Sequence, residues 1–323
     1  MRADPAPRMG DAMTRVSLLT LSFRGDLALC RLLCETTDRF VDPAISHVIA
    51  VPRADIPLFA SLANDRRSII AQEGLLPGWL IKLPLPSPAW RKRLFLPRRN
   101  VYLSLRGRPV RGWIAQQLMK IAAAAISDAD IIVHAYSDAA FIRPTRPEDF
   151  LLDGKPRFLR EPGAGESPMH AAWHRAASHL LGLAPSDYHG ADYIDAGLVV
   201  WRRENVTRLI AHLQRNGGDW RANLVAAGEF SEYVLYGVFV DKVLGEQAQH
   251  TPTPLRQCLT LWDASAAAKP RRRSTGCNCI SAPWRSSPRS PSGMRHAAPS
   301  WRARSGRLQS RTGGPDRSPG MLQ

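Results

Sequence analysis

The sequence predicts an α/β fold in which a mixed, mostly parallel sheet is flanked by helices. Short apolar runs of strand length alternate with longer segments whose apolar residues recur at helical spacing. Polar residues cluster directly after several apolar runs, at the edge where such sheets bind ligands. With 323 residues, of which 44% are hydrophobic, the chain is long enough for one large domain or two small ones.

The first units of the fold follow one another closely. Residues Val16–Leu21 (VSLLTL) predict a strand, which a polar turn (SFRGD) connects to a helix over Leu27–Phe40. A second strand is predicted over 45–51, a short helix over 55–63 and a third strand over 67–73. This alternation is typical of strand–helix–strand units with parallel strands.

The segment 83–111 interrupts this pattern. It is broken by prolines and contains eight Arg/Lys residues and no acid. We interpret it as an irregular excursion or lid, which either attracts a diphosphate or polyanionic acceptor or is simply a solvated loop. A helix rich in alanine follows over Gly112–Ile126, with Gln117 and Lys120 placed to share one face.

Three polar residues follow the next predicted strand, Ile131–Ala135 (IIVHA). The strand ends in Tyr136, Ser137 and Asp138, so these side chains are predicted to lie at the ligand-binding edge of the sheet. A carboxylate at this corner suits a hard divalent cation that neutralises a nucleotide diphosphate. The alternative is that Asp138 caps the following turn, and spacing alone does not separate the two.

Histidine and cysteine spacing predicts no metal site. His170 and His174 are four residues apart on a predicted helix, but no third ligand is evident, so we interpret them as a polar helix face. Cys30 and Cys34 have the same spacing and fit small buried hydrophobic side chains. The other three cysteines complete no ligand pattern.

Both ends of the chain are predicted to be disordered. Residues 1–14 lack the apolar region of a signal peptide, and no run of eighteen apolar residues occurs, so we expect a cytoplasmic protein without a membrane span. The tail, 268–323, has twelve Lys/Arg and one acid, and therefore accounts for +11 of the formal charge of +16.

Two hypotheses address the tail. It is either an arm for nucleic acid or acidic lipid, or the product of a GC-rich reading frame that shifts after Ala268, which re-sequencing of the gene would test. The sequence argues against a nucleic-acid partner, because the basic residues lack a folded scaffold and regular aromatic interleaving.

Several blocks of the sequence, taken in order, resemble a known bacterial family. They are LLTLSFRGDLALCRLLCETTDRF, RGWIAQQLMKIAAA, VHAYSDAAFIRP, YIDAGLVVWRRENV and FSEYVLYGVFVDKVLG. The family is domain of unknown function 6492, which is similar to nucleotide-diphosphosugar transferases of the GT-A type. The resemblance spans about Val16 to Asp263 and implies one GT-A-like Rossmann-type domain over 15–267.

The resemblance implies a donor site for a nucleotide sugar with Mn²⁺ or Mg²⁺. In the family the strand ends in a pair of acids that hold the metal. Here Asp138 matches the second acid, whereas Tyr136 replaces the first and weakens the expected metal affinity, because a phenol is a poor ligand at neutral pH. Tyr136 would instead stack on the base or sugar. The other positions expected to bind the nucleotide are Ser22, Asp26, Arg53, Asp55, Gln117 and Lys120. For Asp26 a helix N-cap is an equal alternative.

The second half of the chain is expected to supply the acceptor side. Asp195, predicted to follow a strand, and Glu232, on an apolar helix, are the candidates for the base that takes a proton from the acceptor hydroxyl. A structural salt bridge is the alternative for Glu232. His250 is a candidate metal ligand, with a purely structural histidine as the alternative.

These observations predict a glycosyltransferase that moves a sugar from a nucleotide-diphosphate donor to a hydroxyl acceptor on a saccharide or glycan, assisted by a divalent metal. The alternative hypothesis is a degenerate transferase, catalytically weak or inactive, that retains nucleotide binding. The replacement of the first acid by Tyr136 favours this alternative.

Overall fold

A computed structural model describes residues 14–84, 100–163, 168–195, 197–215, 218–260 and 279–281. It confirms the predicted α/β class, with a mostly parallel central sheet flanked by helices. None of the helices in these ranges is both long and apolar enough to cross a membrane.

The central sheet has five strands, which in chain order are β1 (Val16–Leu21), β2 (Ser46–Val51), β3 (Arg67–Ala71), β7 (Ile131–Ala135) and β11 (Leu198–Arg202). Across the sheet their order is β3-β2-β1-β7-β11. Four of them are parallel, and only β11 runs antiparallel to its neighbour β7. The strand order therefore reverses at β1, because the chain adds β2 and β3 on one side and β7 on the other.

Helices cover both faces of this sheet because its strands are apolar on both sides. On one face lie α1 (Leu27–Phe40) and α2 (Ile56–Phe59). Leu33 of α1 packs in one buried cluster with Val133. Cys30 and Cys34, also of α1, pack in another with Ile49, as predicted for two buried thiols. The other face is covered by α3 (Gly112–Ile126), α4 (Pro168–Leu181), α5 (Arg203–Gln214), α6 (Trp220–Ala227) and α7 (Glu232–Val238). A π-helix, Phe239–Leu244, continues α7.

Three smaller sheets border the central one. The first joins β4 (Leu80–Lys82), β5 (Val101–Ser104) and β6 (Val110–Arg111), and the second joins β9 (Leu151–Leu152), β10 (Lys155–Leu159) and β12 (Thr251–Thr253). The third joins β8 (Ala139–Phe141), β13 (Cys258–Thr260) and β14 (Cys279–Ser281). In the third sheet, β8 begins directly after Asp138.

Some predicted boundaries differ from the observed ones. Part of the segment 83–111, expected to be irregular, forms β5 and β6, which pair antiparallel; 85–99 lie outside the described residues. Three residues of the tail predicted to be disordered form β14, where Cys279 is paired in register with Cys258 and their sulfurs are 3.3 Å apart. The remaining calls on 1–13 and on the rest of the tail also lie outside the described residues.

Gly237 provides a direct test of the packing of α7. A Cβ atom at this position would overlap the ring of Tyr193, which is buried and donates its hydroxyl to Asp241. We expect Gly237→Ala to lower the free energy of unfolding by about 1–3 kcal/mol, because a buried aromatic ring must move to make room. Urea denaturation measures this change. Gly74→Ala is the control, since an added Cβ there meets nothing within 4 Å; an equal loss in both variants would contradict the packing argument.

Candidate functional site

The strand order reverses between β1 and β7, and we use the term crevice for the region at the carboxyl ends of these two strands. In open α/β sheets, ligands commonly bind at such a reversal. Here both loops lead to the same face of the sheet, because β8, which follows β7, packs against α1, which follows β1. Here the loop after β1 contains residues 22–26, and the loop after β7 contains residues 136–138. The polar residues that the sequence placed after these two strands therefore meet in one crevice.

The two loops touch through Asp26 and Ser137. The hydroxyl of Ser137 donates a hydrogen bond to Oδ2 of Asp26 over 3.3 Å. Asp26 immediately precedes α1, yet its side chain makes no capping bond to the helix. The carboxylate is thus directed to the loop after β7, and not to its own helix as the capping alternative requires.

Asp26 and Asp138 are partly buried acids whose pKa values are both raised. Burial raises the pKa of Asp26, and the hydrogen bond from Ser137 offsets this only in part. Burial also raises the pKa of Asp138, to about 6, and the negative charge of Asp26 adds to the rise. A cation beside these partly buried carboxylates would stabilise their charged forms.

The loop after β1 also presents an aromatic ring and a fixed turn. Phe23 is 45% exposed, and its ring lies so close over Gly25 that a Cβ atom there would overlap it. Arg24 anchors the turn to the loop after β2, because its backbone nitrogen (2.8 Å) and its guanidinium Nη2 (2.6 Å) both contact the buried carboxylate of Asp55. Asp55 is therefore occupied in holding this loop in place.

A cluster of buried polar groups lies behind the loop after β7. Lys120 of α3 donates from Nζ to Oε1 of Glu232 at 2.6 Å and to the hydroxyl of Tyr233 at 3.0 Å. Gln117, one turn earlier on α3, accepts the backbone N–H of Glu232 at 2.7 Å. Burial lowers the pKa of Lys120, but the charge and hydrogen bond of Glu232, together with the interaction with Tyr136, outweigh it, so the net shift is upward and the ammonium stays charged.

Tyr136 connects this cluster to the crevice. The ammonium of Lys120 lies 5.1 Å from the ring centroid of Tyr136 and 4.4 Å from that of Tyr233. The ring centroids of the two tyrosines are 6.3 Å apart. Burial raises the pKa of both phenols well above the usual value, so both are neutral donors at neutral pH. Gln117, Lys120, Tyr136 and Glu232, which were predicted separately, are thus brought together.

The remaining residues of the predicted nucleotide pocket lie less directly in the crevice. Ser22 is buried, and its carbonyl oxygen accepts a hydrogen bond from the side chain of Gln72. Arg53 is exposed, and its backbone N–H donates to Glu73. Ser22 therefore shapes the backbone of the loop after β1, whereas Arg53 lies on the loop after β2.

Asp195 was predicted to follow a strand. In the structure it instead precedes one, β11, which begins at Leu198. Because β11 runs antiparallel to β7, this end of β11 adjoins the crevice, and Tyr136 donates its backbone N–H to Gly197. Asp195 is buried, and one of its oxygens accepts the backbone N–H of Gln257 at 2.6 Å. Its observed contact is with the chain segment that leads into β13.

His250 is held by two hydrogen bonds. One ring nitrogen lies 2.8 Å from the hydroxyl of Tyr236 and the other 2.9 Å from the carbonyl oxygen of Pro156. Burial lowers its pKa to about 4, so the ring is neutral at pH 7. Both ring nitrogens, the atoms that bind metals, already have partners.

The described residues contain no cluster of three or more His, Cys, Asp or Glu side chains arranged to hold a metal ion. Asp26 and Asp138 are only two carboxylates, but Mg²⁺ is commonly bound by one or two carboxylates together with substrate phosphates.

His174, predicted to be on a polar helix face, is instead fully buried, with its ring 5.5 Å from that of His189.

Three residues of the crevice were missed in the sequence. Phe23 and Arg24 are part of the polar turn after β1, and nothing in their spacing distinguishes them from ordinary loop residues. Tyr233 follows Glu232 on an apolar helix, so the pattern predicts a core residue there. An aromatic residue between a strand and a glycine was the only available signal for Phe23.

Comparison with known proteins identifies one family. A model described as a family of unknown function, DUF6492, matches residues 13–266, which is most of the chain. A search of curated proteins found no match.

The raised pKa of Asp138 predicts that this residue costs stability at neutral pH. The folded state binds the proton more tightly than the unfolded chain, so folding loses stability as pH rises from about 4 to about 6. We expect Asp138→Asn to stabilise the protein by roughly 1–2 kcal/mol at pH 7.5 and to lose this advantage near pH 4. Thermal unfolding at the two pH values measures the difference.

Asp128→Asn is the control for this prediction, because its side chain is 89% exposed. Its effect on the melting temperature should be small at both pH values. A destabilised Asp138→Asn variant at pH 7.5 would show that the carboxylate is well solvated or paired, contrary to the electrostatics described above.

Proposed function

Because the chain belongs to the family of unknown function DUF6492, whose description gives no activity, we propose a function from the crevice itself. We propose that the protein is a glycosyltransferase that transfers a sugar from a nucleotide-diphosphate donor to a hydroxyl acceptor on a saccharide or glycan. The observation that supports this best is the hydrogen bond from Ser137 to Asp26, which brings the loop that contains Asp138 to Asp26 at the reversal of strand order, next to an exposed aromatic ring.

The two acids would hold a divalent cation, Mn²⁺ or Mg²⁺. The residues present fit this ion, because paired carboxylates with raised pKa values are relieved by a positive charge and because phosphate oxygens of the substrate complete the coordination. When bound, the ion would stabilise the charge that develops on the departing diphosphate. Asp26 thus supplies the second carboxylate that Tyr136 does not. His250 is left out of the proposed site, since both its ring nitrogens are bonded.

The loop after β1 would bind the nucleoside. An exposed ring at the carboxyl edge of a sheet offers a stacking surface for a base of any kind, and Phe23 has this position. Arg24 and Asp55 hold the loop rigid, which lowers the entropy cost of ordering it on binding. Ser22 contributes the turn that places Phe23.

The acceptor side rests on Asp195 and Glu232, as the sequence suggested. Both carboxylates adjoin the end of β7 but are engaged in this structure, Asp195 with Gln257 and Glu232 with Lys120. To act as the base, Asp195 would have to exchange its bond to the Gln257 backbone for a bond to the acceptor hydroxyl. Glu232 is less suited to this role, because separating it from Lys120 would leave two buried charges unpaired.

A degenerate transferase that binds nucleotides without transferring sugar is the second candidate. Tyr136 at the place of an acid favours it, as does the absence of a metal cluster with three or more ligands among the described residues. The two candidates differ in how nucleotide binding depends on metal and on residue 136.

Calorimetric titration of UDP and GDP into the full chain, with and without Mn²⁺, tests the donor site. We expect binding that requires Mn²⁺, and a loss of affinity of about tenfold or more in Asp138→Asn and Asp26→Asn, since each removes one of two carboxylates. Binding seen only in Tyr136→Asp would instead favour the degenerate candidate. Failure of every variant to bind either nucleotide would rule out the proposed donor site.

Substitution of Phe23 tests the stacking role of its ring. We expect Phe23→Ala to weaken the binding of the nucleotide that binds wild type by about 1–3 kcal/mol, the usual contribution of stacking between a base and an aromatic side chain. The same titration measures it. Ile126→Ala is the control, because Ile126 is 71% exposed and ends α3, far along the helix from the crevice. Equal affinities in both variants would contradict the stacking role.

A further inference from the structure

The small sheet of β4, β5 and β6 carries apolar side chains on both of its faces. Its inner face packs into the main core through Leu80, Tyr102 and Val110. Ile81 lies directly opposite Leu103 in the antiparallel pairing of β4 with β5, and both alternate with these core residues, so both side chains lie on the outer face. They are 48% and 41% exposed, respectively. The outer face of this sheet is therefore aliphatic and accessible.

The apolar surface continues past the end of β5. The backbone N–H of Leu105 donates to the carbonyl of Trp79, so the pairing extends by one residue and Leu105, which is 66% exposed, shares the face of Leu103. Val101 lies on the same face and is half-buried. We call Ile81, Val101, Leu103 and Leu105 the outer patch. A sheet with one face on a core normally has polar residues on its other face, so four aliphatic residues there indicate an interaction surface.

The charges next to the outer patch are mostly positive. Arg111 of β6 lies on the outer face by its register with β5, and Arg106 and Arg108 are in the turn between these two strands. Arg111 pairs with Glu229, and Arg106 lies 3.6 Å from Asp219. Exposed pairs of this kind contribute little in water, so the guanidinium groups remain available to other anions. The sequence 100–111 itself contains no acid.

The chain that joins β4 to β5 adds to this positive charge. Its described ends both lie at this sheet, because Leu83 donates its backbone N–H to Val101 and the carbonyl of Asn100 accepts that of Gly112. Between Leu83 and Asn100 the sequence has five Arg/Lys and no acid. A segment joined at both ends to one sheet keeps its charge tethered there, so the outer patch lies in a basic part of the molecule.

We propose that the outer patch docks on the surface of an anionic lipid bilayer. Ile81, Leu103 and Leu105 would enter the boundary between head groups and acyl chains, while the basic residues would face the phosphates of the lipids. Burial of apolar side chains together with attraction to anionic lipid is the combination that holds a protein on a membrane without crossing it. A second copy of this chain suits the patch less well, because the same positive charges would face each other. This inference does not depend on the proposed function.

Cosedimentation of the full chain with lipid vesicles tests this inference. We expect binding to vesicles of phosphatidylcholine and phosphatidylserine, and weaker binding to phosphatidylcholine alone, because the second surface carries no net charge. The variant Ile81→Thr/Leu103→Thr should bind the anionic vesicles about tenfold less tightly or worse, since two aliphatic side chains are lost from the contact. Threonine suits a strand, so the fold should be kept, and thermal unfolding checks this.

Two further variants make the result specific. Leu105→Ser lies beyond the end of β5 and should also weaken binding, although it leaves the strands unchanged. Leu29→Gln/Leu32→Gln is the matched control, because these side chains are exposed to a similar degree but belong to α1. The control should bind vesicles as wild type does.

The remaining outcomes would overturn the inference. The basic tail, 268–323, is present in every variant, so binding caused by the tail alone would be equal in all of them. Equal binding by wild type and Ile81→Thr/Leu103→Thr, an equal loss in the α1 control, or no binding by wild type would each contradict a lipid-docking patch. A wild-type dimer that dissociates in Ile81→Thr/Leu103→Thr, without vesicle binding, would show that a second copy covers the patch instead.

Discussion

The pairing of β1 with parallel strands on both sides is the constraint on which the crevice depends. Because β2 and β7 both lie beside β1, the chain must leave β1 on one face of the sheet and arrive at β7 from the other. The loops after β1 and β7 therefore lie beside each other at the carboxyl edge of the sheet. The contact between Asp26 and Ser137 is a direct result. The antiparallel strand β11 then adds a third segment, around Asp195, to the same edge.

The charged side chains at this edge of the sheet are of two kinds, one paired and one without an opposite charge. Lys120 and Glu232 are buried but paired, and Gln117 and Tyr233 supply the additional bonds that a buried ion pair requires. Asp26 and Asp138 are partly buried and have no Lys or Arg partner within the part of the chain that the structure describes. The first pair is therefore self-sufficient in the folded protein, whereas the second lacks a compensating charge. Unrelieved strain of this kind is typical of binding sites.

The sequence predicts the strands, the helices and the polar loops, because these depend on local periodicity and on the order of elements. It identifies most residues of the crevice for the same reason, since they follow strands. It does not predict which of them touch. The partners of Lys120 lie more than a hundred positions away in the sequence, and the approach of Asp26 to Ser137 depends on how α1 and β7 are placed. The prediction that Asp195 follows a strand was wrong: YID resembles a strand in period, yet only Leu198–Arg202 finds a partner in β7.

The charges around the crevice restrict the kind of ligand that it suits. Lys120 is neutralised by Glu232, and Arg24 by Asp55, so the uncompensated charge of the described crevice is that of Asp26 and Asp138. Two carboxylates repel a free diphosphate, and they repel the backbone of a nucleic acid for the same reason. A diphosphate that arrives with a divalent cation would not be repelled in this way, because the positive charge of the cation offsets the negative charge of the two acids. A ligand with both a cationic and an anionic side fits this arrangement, and a simple polyanion does not.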